Sequence, residues 1–256
     1  MTAQMDIAVR GARLHVTPFQ KSFWAKLDRG KWERGTLDAL DRHVRPGVEV
    51  LDIGAWVGPV TLYAAARGAA RVIAVEADPA AAAALRDNLA LNPDLAERVT
   101  VVERAVAPAP GVVRLGARRK RGDSMSSVLL GAGPGAWTAP GVTPAELLDM
   151  LTPGAPAFVK IDVEGAEYGL ADALAPLAGR PTTATLLSFH PQFAAPDRPR
   201  WRRTFRLTRR LLNPFAGAQV WRASDGGLRR AWLAEALIRC GLAWYEASAP
   251  LLFVRR

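Results

Sequence analysis

Four segments of this 256-residue chain carry residue types at spacings that could do chemistry. Asp52-x-Gly54-x-x-x-Gly58 follows a short apolar run. Glu76 ends a second run, Val72-Ile73-Ala74-Val75. Lys160-x-Asp162-x-Glu164-x-x-Glu167 closes a third, and His190 closes a fourth. Glycines at 54 and 58 allow a tight turn and close approach of backbone to a ligand. A helix starting there offers unpaired N–H groups. Such a loop, with Ala55 and Trp56 inside it, can hold a pyrophosphate or the amino-acid end of a nucleoside. Asp52 separates the two. A carboxylate beside the loop repels a diphosphate and suits the ammonium and sulfonium charges of S-adenosylmethionine (SAM). The spacing also departs from Gly-x-Gly-x-x-Gly, the dinucleotide fingerprint.

Glu76 fits a nucleoside as well. A carboxylate at the end of the second strand accepts hydrogen bonds from both ribose hydroxyls. NAD enzymes use the same device, so Glu76 alone does not select SAM. Its plainer role is to cap the next helix. Ligands in such sheets sit at the carboxyl ends of the strands. The segment Glu103-Arg104-Ala105-Val106 should therefore flank the adenine, Ala77 is a further cofactor-binding position, and Trp56 is placed to pack on SAM or on a substrate.

Asp162, Glu164 and Glu167 come at and just beyond a strand end, beside the expected methyl group. Lys160 shares one strand face with Asp162; it can pair with that acid or steer an anionic group. Methyl transfer to oxygen needs positioning, plus a base when the nucleophile is a neutral hydroxyl. His190 is the expected base, since an unperturbed imidazole titrates near neutrality. The plainer readings are an Asp162 that ties down its loop and acids favoured at a helix start. Asp162 and His190 could instead share a divalent cation with a diol substrate. No other metal ligand set is indicated.

The elements that position these residues alternate from about residue 48. Strands are predicted at 48–53, 71–76, 98–103, 157–162 and 183–189, and helices at 59–67, 78–91, 143–151 and 165–177. A helix at 227–239 and a terminal hairpin, 244–247 against 251–255, follow. The expected fold class is α/β: a Rossmann-like, seven-stranded, mostly parallel sheet with helices on both faces and a C-terminal antiparallel hairpin. Residues 1–46 read as a helical extension over the site, with Trp24, Trp32 and Leu37 on it and Trp32-Glu33 in reach of the cofactor. Residues 47–256 read as the SAM-dependent domain. The stretch 116–142 is long for a plain loop. Within it Gly122-Asp123-Ser124-Met125-Ser126-Ser127 binds substrate, closes over SAM or simply connects. Trp201, Phe205, Thr208 and Leu212 fall on one helical face among arginines.

Half of the residues are hydrophobic, which suits one large domain with a full core. The single cysteine, Cys240, excludes a disulfide within the chain and a cysteine-based zinc site. A reducing cytoplasm is the default compartment. The start lacks a signal-peptide pattern, and apolar runs break well before about 18 residues, so no membrane span is expected. The net charge is +10, almost all of the excess being arginine. Arg118-Arg119-Lys120-Arg121 and the arginines from 198 to 210 form two basic clusters. They read as a solvated face or as attraction for a phosphorylated substrate, a nucleic acid or an acidic carrier protein. No aromatic-interleaved RNA-binding motif accompanies them.

Several segments together resemble one family: Leu51-Asp52-Ile53-Gly54-Ala55, Ala74-Val75-Glu76-Ala77-Asp78-Pro79, Leu85-x-x-Asn88, Arg104-Ala105-Val106 and Phe158-Val159-Lys160-Ile161-Asp162-Val163-Glu164-Gly165-Ala166-Glu167. They are similar to the FkbM-type SAM-dependent methyltransferases over about residues 30–190, and Lys-Ile-Asp-x-Glu-Gly-Ala-Glu is the most specific part. The resemblance implies a class I methyltransferase fold and mostly O-methylation of sugars, polyketides and other secondary metabolites. The acceptor would be a small molecule or glycan, neutral or anionic, and S-adenosylhomocysteine (SAH) would be the product. Trp56 stands where such families often carry a small polar residue, and Ala77 replaces a common proline. Rival functions are a nucleic-acid methyltransferase, a dehydrogenase and a non-catalytic SAM-binding protein. No Asn-Pro-Pro-Tyr or paired-cysteine motif supports the first. The sequence does not indicate an oligomeric state.

Overall fold

The computed structural model describes residues 4–123, 126–133, 135–180, 183–190, 200–242 and 250–255. The chain begins with a hairpin, β1 (Met5–Val9) and β2 (Ala12–Val16). Ile7, Val9, Leu14 and Val16 are buried and alternate with outward residues, the period of a half-buried strand. Arg10 and Gly11, both at positive φ, make the two-residue turn whose twist matches such strands. The extension expected to be helical is corrected to that extent. Helices α1 (Lys21–Asp28) and α2 (Arg34–His43) follow, with Trp24 and Leu37 buried.

Two strand–helix crossovers come next: β3 (Glu49–Ile53), α3 (Pro59–Ala66), β4 (Arg71–Val75), α4 (Pro79–Ala90), α5 (Pro93–Ala96) and β5 (Val99–Val102). Pro59 and Pro79 open their helices, where a missing N–H breaks no intrahelical bond. Asp78 caps α4 by accepting from the Ala80 N–H at 2.9 Å. Strands β6 (Ala105–Val106), β7 (Val112–Leu115) and β8 (Trp137–Val142) form a separate three-stranded sheet. Within the stretch read as a long loop, residues 137–142 are strand β8 and Gly116 bridges Ser127, with Trp137 and Ala139 of β8 buried.

The rest comprises α6 (Pro144–Asp149), β9 (Ala157–Ile161), α7 (Ala175–Gly179), β10 (Thr183–Leu187), α8 (Arg200–Leu212), β11 (Gln219–Ser224), β12 (Gly227–Arg230), α9 (Trp232–Arg239) and β13 (Leu251–Val254). The main sheet runs β12-β11-β13-β10-β9-β3-β4-β5. Strands β5 to β10 in that order are parallel; β13 is antiparallel to both β10 and β11. The count is eight rather than seven. Strand β11 occupies residues for which no strand was expected, and β12 comes from residues expected to begin a helix. Asp225-Gly226 turns the chain back, and Ala223 pairs with Leu228. Residues 244–247, expected to pair with the last strand, lie outside the described residues. The helix expected at 165–177 is two short pieces, a 3₁₀ turn (Ala166–Leu170) and α7, because Gly165, Gly169 and Pro176 interrupt it. On α8 the buried face carries Thr204, Thr208, Leu211 and Leu212, while Phe205, expected among them, points outward.

All five residues of β3, β9 and β10 are buried, as strands covered on both faces must be. Val50, Val72 and Phe158 pack with the hairpin and α1 to α4 on one side. Leu51, Ile73 and Val159 pack with α6 to α9 on the other. No helix among the described residues is long and apolar enough to cross a membrane.

Candidate active site

Ile53 pairs with both Val75 and Ile161, so the segments that follow β3, β4 and β9 meet above one end of the sheet. Glycine is required there. A Cβ on Gly54 (φ +80) would lie 1.9 Å from the Asp162 carbonyl oxygen, and one on Gly58 (φ +94) would lie 2.4 Å from Leu85 Cδ1. The resulting cavity has Glu76, Ala77, Arg104, Ala105, Val128 and Glu164 in its wall. Glu76 is fixed by two backbone donors, Trp56 N–H at 2.7 Å and Asp78 N–H at 2.8 Å. Burial pushes its carboxyl up to about 7 in spite of those donors.

A second lobe adjoins the first and shares Gly54, Trp56, Asp162 and Glu164 with it. Its far wall comes from the N-terminal extension: Phe23, Trp32 and Glu33. The Phe23 ring meets Trp56 edge-on at 4.6 Å and Trp32 at 5.6 Å. Glu33 accepts from the Thr36 hydroxyl at 2.9 Å. Burial, then the charge of Asp162, pushes its carboxyl up to about 7. Burial also lifts Glu164 to about 7. Among the described residues, five non-glycine residues have positive φ, and Glu33, Trp56 and Glu164 are three of them. Backbone strain is thus concentrated where the two lobes meet, the pattern of functional sites.

The expected site residues divide into two groups. Gly54, Trp56, Glu76, Ala77, Arg104, Ala105, Asp162 and Glu164 line the first lobe, and Ala55 and Lys160 line the second. Asp52, Gly58 and His190 line neither. Asp52, the acid expected to meet the ligand, is fully buried. It accepts from the Thr61 hydroxyl at 2.7 Å and pairs with Lys160 Nζ at 3.4 Å. Lys160 also donates to the Gly54 carbonyl at 2.8 Å. Burial alone would lower its pKa, but Asp52, Asp162 and Glu33 outweigh that and raise it. The lysine is therefore a fixed cation beneath the loop.

His190 behaves differently from a free imidazole. Its backbone N–H donates to Glu167 Oε1 at 2.8 Å and its Nδ1 lies 3.1 Å from the same atom. Its Nε2 lies 3.6 Å from Asp162 and 3.5 Å from Glu164. Burial would lower its pKa, but the hydrogen bond to Glu167 and the three acidic charges push it up to about 9. It is a protonated residue at neutral pH. Asp162, Glu164 and His190 each offer one ligand atom within 4.8 Å of the others, a spacing that can hold a divalent cation. The residue undervalued by sequence is Glu33, for which the only signal is an acid after Trp32.

Asp123, Ser126, Ser127 and Val128 line the first lobe, and Gly122 ties its neighbourhood to the elements beneath. Gly122 N–H donates to Asp78 Oδ2 at 2.6 Å, and its carbonyl accepts from Gln20 Nε2 at 2.9 Å and Trp56 Nε1 at 3.1 Å. Ser126 adds a bond to Asp78 at 2.8 Å, and Ser127 donates to the Glu164 carbonyl at 2.8 Å. Ser124 and Met125 lie outside the described residues. Gly122 has φ +80, and a Cβ there would lie 2.8 Å from Phe19 Cζ. Gly122→Ala is expected to destabilise the fold by about 1–3 kcal/mol. Gly47, at φ +89 with open space around it, is the control. In urea titrations Gly47→Ala should cost less, and equal losses would remove the packing argument.

The strand order, the inserted antiparallel β13 and a cleft above the parallel strand ends define a class I methyltransferase fold. Residues 52–197 match the Methyltransferase FkbM domain, more than half of the chain, and the protein belongs to that family. A solved FkbM methyltransferase from Methylobacillus flagellatus KT is 16% identical, aligns over 81% of this chain and 43% of its own, and has a TM-score of 0.46. A putative O-methyltransferase structure from Klebsiella pneumoniae is 16% identical over 90% of this chain and 80% of its own, TM-score 0.45. A ribosomal protein L11 methyltransferase of Carboxydothermus hydrogenoformans is 36% identical over 67 residues, 26% of this chain. The chain spans only 22% and 18% of the lengths of the curated relatives it matches.

Proposed function

We propose that this protein transfers the methyl group of SAM to a hydroxyl oxygen of a small molecule or glycan. The observation that carries this is a set of three carboxylates, Glu33, Glu76 and Glu164, which burial lifts to about 7 around one two-lobed cavity. Burial outweighs the cations near these acids, His190 beside Glu164 and Lys160 near all three, so their ionised forms favour further cationic partners. A ligand carrying ammonium and sulfonium charges supplies them. In this reading Glu76 takes the ribose hydroxyls, with Arg104 and Ala105 beside the base. Glu33 takes the ammonium, and Asp162 and Glu164, common to both lobes, hold the sulfonium.

Bound SAM supplies an electrophilic methyl group on a positively charged sulfur. Glu164 takes the proton from the acceptor hydroxyl, since an acid titrating near neutrality is ionised and basic enough at working pH. His190 keeps its own proton and holds Asp162 and Glu164 in place. The role of base, expected for His190, passes to Glu164 for that reason.

Calorimetric titration between pH 6 and 7.5 tests the cofactor reading. The three carboxylates ionise as pH rises through about 7, so SAM affinity should rise with pH, by roughly tenfold for a gain of about 1.4 kcal/mol. SAH lacks the sulfonium charge and should gain less. An affinity for SAM that ignores pH would sink the proposal, as would tight binding of NAD with none of SAM.

A further inference from the structure

We propose that the face formed by α8 and α9 docks on an anionic phospholipid surface. Six of the thirteen residues of α8 are arginine and none is acidic. Burial of Thr204, Thr208 and Leu211 turns Arg203, Arg206 and Arg209 outward in a row of three-residue spacing. Arg210 pairs with Asp172. No acid among the described residues pairs with Arg203, Arg206 or Arg209.

Solvated arginines alone make only a basic face. Apolar exposure beside them sets this one apart. Among the described residues six large hydrophobic side chains are exposed, and four are here: Phe205 at 41%, Trp232 at 68%, Leu233 at 61% and Leu242 at 43%. Phe205 stands three residues after Arg202 and four before Arg209, so it rises between them. Helix α9 buries Ala234 and Ile238 and presents Trp232, Leu233, Ala236 and Cys240 on its other side. The two helices meet where α9 ends: a Cβ on Gly241 would lie 3.7 Å from Arg209 Nη2. The Arg230 guanidinium covers the Trp232 ring at 4.2 Å.

The aliphatic members separate a bilayer from a nucleic acid. Bases stack on aromatic rings but gain little from Leu233 and Leu242. Both leucines can enter the acyl boundary beneath a headgroup, with tryptophan at its level. Arginine binds phosphate oxygens bidentately, and the +10 net charge adds long-range attraction to an anionic leaflet. The nearby acids do not oppose this. Asp172 is held by Arg210 and Glu235 by Arg230 and Arg239, leaving Asp225 exposed at the β11–β12 turn. This face does not line the cavity, so its failure would leave the catalytic reading intact.

The test is co-sedimentation of the full chain with phosphatidylcholine vesicles, with and without phosphatidylglycerol. Binding should be about tenfold or more tighter with phosphatidylglycerol and should weaken with salt. The charge-reversed variant R203E/R206E/R209E and the apolar variant W232S/L233S should each lose about tenfold or more. All five positions are exposed, so melting temperatures should hold and confirm folding. Equal binding to both vesicle types, or binding that ignores either variant, overturns the proposal. An RNA oligonucleotide bound normally by W232S/L233S, with no vesicle binding by the parent, assigns the face to nucleic acid instead.

Discussion

Glu164→Gln is expected to lower kcat by roughly 10²–10⁴-fold, the usual contribution of a positioned base, while SAM affinity changes far less. The substitution keeps the side chain's shape and removes its charge and its ability to take a proton, while Glu33, Glu76 and Asp162 remain to hold the cofactor. Its backbone should hold, because the Ser127 hydroxyl bonds to the Glu164 carbonyl and Gly165 N–H donates to Glu167 at 2.8 Å. The pH profile makes the assignment specific. Glu164 titrates at about 7 and His190 at about 9. Wild-type kcat should rise through about 7 as the base ionises. It should fall again near 9, where His190 loses the charge that organises Asp162 and Glu164. Glu164→Gln should abolish the rising limb, whereas His190→Gln should remove the falling one and only shift the rising one upward, because the His190 charge lowers the Glu164 pKa. If the His190 variant instead erases the rising limb, histidine is the base.

Much of this arrangement was legible in the sequence, and the reasons differ from residue to residue. The five parallel strands were visible because each is a largely apolar run ended by glycine, an acid or histidine. Glycines 54 and 58 were visible because close backbone approach tolerates no side chain. What periodicity could not show was the partner of each charge. Asp52 sits in the motif just where a ligand-facing acid would, yet Lys160, six strands on in sequence, neutralises it from the adjacent strand. His190 looked like a neutral base because its three acidic neighbours come from segments 23 to 28 residues upstream. The first strands escaped notice because two five-residue strands hold too few positions to separate a period of two from one of 3.6. Strand β12 escaped for the same reason, being four residues joined to a genuine helix.

Lys160→Met should destabilise the fold by about 3–5 kcal/mol, the effect of removing one member of a buried ion pair. Asp52 is fully buried and has only the Thr61 hydroxyl besides this lysine. Methionine fills the same space but leaves that carboxylate uncompensated, and it removes the donor that holds the Gly54 carbonyl. The double variant Asp52→Asn/Lys160→Met should recover a large part of the loss, because replacing both partners of a buried pair removes the unpaired charge. Urea denaturation of the four proteins in this cycle measures the coupling directly. The cycle also decides what Asp52 is for. If its carboxylate acts through Lys160 and the loop, Asp52→Asn should weaken stability and SAM binding together. Loss of SAM binding at unchanged stability would return Asp52 to the ligand and leave the buried lysine without the role assigned to it.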